Sequence, residues 1–144
     1  MSTEFLHNIR KYWRLRAAAI ALGALTVVLA PIPAVSQTAT VIEARVSKVQ
    51  DGDTFTLKGE SRRIRVWGLD APEWNTAGGP AATATMRNLI SGQYLRCVVR
   101  DLDRYGRLVA QCTLPDGRDI AAAMIRSGVA QEYCRFSKGY YGTC

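Results

Sequence analysis

Three short stretches hold the carboxylates and guanidinium groups that could do chemistry: "DGDT" at 51–54, "RVWGLDAPE" at 65–73 and "DRYGR" at 103–107. The first offers Asp51 and Asp53, the second Arg65, Asp70 and Glu73, the third Asp103, Tyr105 and Arg107. Each has an ordinary reading alone. Asp-Gly makes tight turns, an Asp before Ala-Pro ends a strand, and a strand arginine is usually solvated. The first two stretches, however, follow each other across one hairpin, which would bring Asp53 and Asp70 to the same end of a sheet. Two such carboxylates repel unless a cation or a retained proton neutralises them. Their oxygen-only donor set suits a hard ion, Ca2+ or Mg2+, with the Ala71 carbonyl and water completing its shell. Pro72 would stiffen the turn and keep Glu73 near the ion but off it. A spare carboxylate beside a metal-bound phosphate suits a general base for water, and Arg65 and Arg107 suit planar clamps on phosphate oxygens. Together these are the parts for phosphodiester hydrolysis, where positioning and charge neutralisation carry the reaction.

The single histidine narrows the field further. His7 lies near the N-terminus, in a segment that reads as a leader, so the remainder of the chain has none. Ser-His-Asp triads, Cys-His pairs, His-zinc sites and imidazole bases are thereby excluded.

Residues 1–36 read as a signal peptide. Arg10, Lys11, Arg14 and Arg16 form the basic region, "AAAIALGALTVVLA" the apolar core, and Ala34 and Ser36 the small residues before a cleavage point. The apolar core is short for a membrane span of about 20 residues. An uncleaved anchor is the alternative, and the only membrane association expected. Residues 37–144 then form one domain, secreted or periplasmic, in which 15 basic and 11 acidic residues leave a modest positive charge. That balance suits polyanions without demanding them. All four cysteines, Cys97, Cys112, Cys134 and Cys144, fall in this domain, and an even count in an oxidising compartment argues for two disulfides. Cys97 and Cys112 flank the Tyr105-Gly106 turn and could meet across antiparallel strands, leaving Cys134 to Cys144 to close the C-terminal tail. The other two pairings remain open.

Something must position the three stretches. "TVIEARVSKV" alternates as a first strand, "TFTLKG" returns after the "DGD" turn, and "RRIRVWG" is a third. Pro80 opens a helix with Met86, Leu89 and Ile90 on one face and Gly92 beyond its end. "QYLRCVVRD" and "RLVAQCTL" are two more strands, and "RDIAAAMIRSG" is a second helix with Asp119 near its start. The tail from Val129 shows no clear periodicity. Three strands, a helix, two strands and a helix is the order of an OB-fold, a five-stranded Greek-key barrel of α+β class.

In that order, "DGDTFTL", "IRVWGLDAPE", "GGPAATATM" and "DRYGRLVA" with "DGRDIAAAMIRSGVA" resemble the motifs of the staphylococcal nuclease-like (thermonuclease) family, over about Val41 to Tyr133. The resemblance implies that Asp53 and Asp70 bind Ca2+, with Ala71, where the best-known member has threonine, adding its carbonyl. It implies Glu73 as general base, Arg65 and Arg107 as phosphate-binding groups, and Tyr105 near the nucleotide. Tyr133 falls near a second substrate-side tyrosine, and Asp51 and Thr54 support the metal ligands from behind. The loop "WNTAGGP" departs from the family in being short and free of lysine. The implied activity is that of an exported, Ca2+-dependent monomeric nuclease. It would act on DNA and RNA, preferring single-stranded or frayed chains, and leave 3′-phosphate ends without a small-molecule cofactor. The competing class is a non-catalytic OB-type module that binds nucleic acid or protein. Such a module would not need acids that repel phosphate.

Overall fold

The structure, a computed structural model, describes residues 39–144. The leader assigned to residues 1–36 lies outside them. β1 (Val41–Val49), β2 (Thr54–Leu57), β3 (Ile64–Val66), β5 (Tyr94–Leu102) and β6 (Leu108–Thr113) close a barrel in the order β1-β2-β3-β6-β5. Closure leaves no free sheet edge in the barrel. Helix α1 (Gly79–Ile90) joins the third barrel strand to the fourth, and α2 (Ile120–Arg126) follows the fifth, as the pattern of strands and helices predicts. Asp119 caps α2 by accepting a hydrogen bond from the Ala122 amide at 3.0 Å.

The inward faces of β3 and β6 come from strict alternation. Ile64 and Val66 are buried while Arg65 between them is not, and Leu108 and Ala110 alternate in the same way around Val109. The core joins these residues to Phe55, Leu57, Leu95 and Leu69, with Met86 and Ile90 of α1 and Ile120 and Met124 of α2 closing on it. Cys97 and Cys112 are cross-strand partners in the β5–β6 ladder and form a buried disulfide. Cys134 and Cys144 form the second.

One junction is parallel. β3 pairs with β6 in the register Ile64 to Leu108, Arg65 to Val109 and Val66 to Ala110. Odd-numbered residues of both strands therefore share the outer face, with Arg65 opposite Val109, two residues along from Arg107.

Two readings of the sequence need correction. The run "RRIRVWG" is a strand only over Ile64–Val66, with single backbone bonds to β6 at Arg63 and Trp67, while Arg62 turns back to bond Glu60 through its amide and its guanidinium. The tail, which shows no periodicity, is ordered nonetheless. β7 (Gln131–Glu132) pairs antiparallel with β4 (Leu69–Asp70), and α3 (Cys134–Ser137) follows. Two-residue strands are too short to show alternation. What holds them is Glu132, a buried carboxylate that accepts from Ser137 Oγ at 2.6 Å, the Tyr141 amide at 2.9 Å, and the Thr143 amide and hydroxyl at 2.8 and 3.0 Å. Burial works against its charged form, yet these donors together pull the Glu132 carboxyl down to about 2.

Candidate active site

The β1–β2 turn and the loop after β4 meet at Gly52. A methyl group placed there would stand 2.7 Å from the Ala71 Cβ and 2.8 Å from the Ala82 Cβ. Only a residue without a side chain lets the turn approach both the loop and α1 so closely. The approach puts Asp53 against Ala71, whose amide points at the Asp53 Oδ2 from 3.4 Å. Thr54 donates its hydroxyl to Oδ1 at 2.9 Å, and the Asp53 amide donates to Asp51 at 3.0 Å. Arg65 then reaches Oδ2 at 2.9 Å and donates to the Leu69 carbonyl at 2.8 Å. Burial raises the Asp53 carboxyl and the neighbouring Asp51 adds to the rise; against the pull of Arg65 the balance still lies at about 6.

Asp70 is exposed on β4, one residue from Ala71. It lies at the edge of a groove of about 720 Å³ that runs over the outer face of β3, β5 and β6 to the tail. Arg65, Tyr105, Arg107 and Tyr133 line the same groove. Arg107 is steered by Asp103, which accepts from its amide at 2.9 Å and its Nε at 2.7 Å. Despite some burial, these bonds hold the Asp103 carboxyl below its usual value. Tyr105 lies under the Arg107 guanidinium, 5.4 Å from its ring centroid. The β4–β7 pairing and the bond from the Tyr133 amide to the Gly68 carbonyl (2.8 Å) fix Tyr133 and Asp70 to one another.

Glu73 is placed differently. It is exposed in the loop before α1 and does not line the groove. Its carbonyl accepts from the Thr76 amide and hydroxyl at 2.9 and 2.8 Å. α1 abuts that carbonyl so closely that a methyl group at Gly79 would fall on the oxygen. The backbone of Glu73 is thus anchored while its carboxylate stays in solvent.

Among the described residues, no three Asp, Glu, His or Cys side chains converge to hold an ion unaided. Asp53, Asp70 and the Ala71 carbonyl are oxygen donors of the kind that a hard divalent cation takes. A buried carboxyl raised to about 6 is a group whose charged form a cation would relieve.

The groove contains residues beyond those singled out from sequence. Trp67, Arg100, Arg104, Arg135 and Phe136 also line it. Trp67, inside "RVWGLDAPE", and Arg104, inside "DRYGR", carried a local signal. Arg135 and Phe136 sit in the aperiodic tail, and Arg100 lies at a β-bulge in β5.

Residues 63–142 match the family described as "Staphylococcal nuclease homologue". The chain is 35% identical over 98 residues to a protein of Escherichia coli O157:H7 named uncharacterized endonuclease, a stretch covering 67% of this chain and 64% of that one. It is 29% identical over 132 residues to the micrococcal nuclease of Shigella flexneri, covering 85% of this chain and 74% of the relative. The chain therefore spans a little under two thirds of the length of the Escherichia coli relative.

Proposed function

The chain belongs to the staphylococcal nuclease homologue family, and from that premise we propose that it is a metal-dependent nuclease hydrolysing phosphodiester bonds of DNA and RNA, with Ca2+ as its ion and 3′-phosphate ends as its products. The observation that carries this reading is the convergence of Asp53, Arg65 and the Ala71 backbone beside a groove that also holds Asp70 and Arg107. Asp53, Asp70 and the Ala71 carbonyl would hold the ion. A divalent cation bound there supplies Lewis-acid polarisation of a phosphoryl oxygen.

The protein's own residues divide the remaining work. Arg65 lies between Asp53 and the groove, already desolvated and held by the Leu69 carbonyl, so it can turn donors to a phosphate with little reorganisation. Arg107, braced by Asp103 through amide and Nε, keeps its terminal nitrogens for the charge that builds as the 5′ oxygen departs. Glu73 is the remaining carboxylate near the Asp70 loop, and its anchored backbone suits a base that takes a proton from the attacking water. Tyr105 and Tyr133 offer ring faces to the nucleotide. The preferred substrate is single-stranded or frayed, the protein acts as a monomer, and it works outside the cytoplasm. Two disulfides suit that compartment. A purely binding module would gain from the arginines but not from the acids beside them, which repel phosphate.

The test is hydrolysis of single-stranded DNA with calcium and with EGTA. Cleavage with calcium and none after chelation is expected. Undiminished cleavage in EGTA removes the ion from the mechanism, and no cleavage with any divalent cation overturns the nuclease reading.

A further inference from the structure

Three arginines of the groove, Arg100, Arg104 and Arg135, form no ion pair among the described residues. Each lies over an aromatic ring: Arg100 on Trp67 at 5.4 Å, Arg104 on Tyr105 at 4.8 Å, Arg135 on Phe136 at 5.9 Å. In the last two the partners are sequence neighbours. The Arg100–Trp67 pair is different, because it is assembled from opposite sides of β6 and held by a network.

Trp67 follows β3, its amide bonded to the Ala110 carbonyl at 2.8 Å, so it continues the parallel pairing with β6. It shares the outer face with Arg65, about 6.6 Å along the extended chain. On the other side of β6, Val99 pairs with Ala110 and Asp101 with Val109, which leaves Arg100 as the extra residue of a bulge. The buried Leu95 and Cys97 put the even-numbered residues of β5 on the outer face, so Arg100 already faces outward, and the bulge turns Asp101 to that face as well.

What steers that guanidinium is neutral. Gln111 accepts from Arg100 Nη2 at 2.6 Å, while its Nε2 donates to Asp119 Oδ2 at 2.9 Å and to the Tyr140 hydroxyl at 3.2 Å. Tyr140 in turn sets its ring edge-on to Trp67 at 5.3 Å. An amide orients the arginine and leaves its charge available, whereas a carboxylate would have neutralised it. The charge is exposed, preoriented, and one step along the groove from Arg65.

We propose that Arg100, seated on Trp67 and steered by Gln111, is a second phosphate subsite that holds the phosphodiester next to the scissile one in a single-stranded nucleic acid. This rests on the nuclease reading for the identity of the scissile position. The site takes a phosphate of a continuous strand, so its ligand carries at least two phosphodiesters.

The test is anisotropy of a labelled single-stranded 12-mer in EDTA, between about 50 and 200 mM salt, a range over which phosphate contacts are read out. Relative to wild type, Arg100→Met should weaken binding about tenfold, the worth of one charge-assisted contact. It should also flatten the plot of log affinity against log salt by about 0.7, the single-strand value for one phosphate. Arg100→Lys should restore the slope and only part of the affinity, because it keeps charge and loses the flat stack on Trp67. Arg118→Met, which removes an exposed arginine outside the groove, should leave the slope at its wild-type value. An unchanged slope and affinity in Arg100→Met overturns the subsite. So does an equal flattening in Arg118→Met, which would mean net charge alone is being read. Because nothing is hydrolysed in this assay, a wild type that binds with the expected slopes yet never cleaves DNA refutes the nuclease reading and leaves the subsite standing. A wild type that does not bind overturns the subsite, and the nuclease reading is then decided by the calcium cleavage assay alone.

Discussion

Gly52→Ala tests the contact on which the proposed metal site depends. Gly52 is not among the glycines at positive φ, so alanine meets no backbone penalty there and the effect is one of space alone. Its new methyl would stand 2.7 Å from Ala71 Cβ and 2.8 Å from Ala82 Cβ. Carbon atoms rest at about 3.5–4.0 Å, so each pair must part by about 1 Å. Both opposing methyls are rooted directly on backbone, and Ala82 is locked inside α1. The turn must therefore lift away from the Ala71 loop. The amide contact from Ala71 to Asp53, already 3.4 Å, then passes beyond bonding range. Overpacking of this kind destabilises by about 1–3 kcal/mol, a fall in melting temperature of roughly 4–24 °C for a domain of this size. A displacement of about 1 Å at a reacting centre slows turnover about 100-fold. The assay is calcium-dependent cleavage of denatured DNA at 25 °C, scaled to the folded fraction from circular dichroism, with calcium affinity measured alongside. Adding Ala71→Gly removes the nearer methyl and should recover part of the stability. A Gly52→Ala protein with wild-type melting, affinity and turnover would show that turn and loop do not touch, and the site as described would fall with that result.

Glu73→Gln and Arg107→Ala should each lower turnover by orders of magnitude while leaving circular dichroism unchanged; a wild-type rate in either removes that residue from the mechanism. Opening the Cys134–Cys144 bridge with Cys134→Ser/Cys144→Ser removes a loop closure with a sequence separation of 10, and opening Cys97–Cys112 one of 15, each worth about 3 kcal/mol. Both should lower the melting temperature by roughly 12–24 °C, but the first should also raise KM, because the tail carries Tyr133 and the strand that pairs with Asp70; equal KM values in the two variants would contradict this. The acid stability profile should show two limbs of opposite sign. Glu132 titrates near 2 folded against 4.5 unfolded, so its stabilisation is present above 4.5 and is lost as pH falls towards 2, a limb that Glu132→Gln should abolish. Asp53 titrates near 6 folded against 3.8 unfolded, so in the metal-free chain its contribution is complete below 3.8 and disappears as pH rises through 6. Melting curves from pH 2 to 7 in EDTA check both limbs: Asp53→Asn should leave only the Glu132 limb, and an unaltered profile in either variant would contradict that residue's assignment.

Much of the frame was determined by the sequence alone, because its causes are local. Alternation of apolar residues in "VIEARV" and "LVAQC", Pro80 at the head of α1, and Asp119 capping α2 act over a few residues each, and together they specify the barrel order. The cross-strand partnership of Cys97 and Cys112 follows from the turn between their strands. The three acidic and basic stretches could be picked out because their chemistry is concentrated in contiguous residues.

Only the tertiary structure decided how those stretches meet. The parallel β3–β6 junction, a contact between strands some 40 residues apart, is what puts Arg65 and Arg107 on one face and into one groove. The space at Gly52 is set by α1 and the Ala71 loop, neither adjacent in sequence. Arg100 gains its place in the groove from Gln111 on β6 and from Trp67 beyond β3, partners that are distant in the sequence. The tail acquires order from hydrogen bonds converging on Glu132, and a buried carboxylate with four donors leaves no periodic trace. Burial, which sets the charge state of Asp53 and Glu132 in opposite directions, is a property of the whole fold. Residue type alone says that both are acids; their surroundings decide that one resists ionisation and the other cannot easily be protonated.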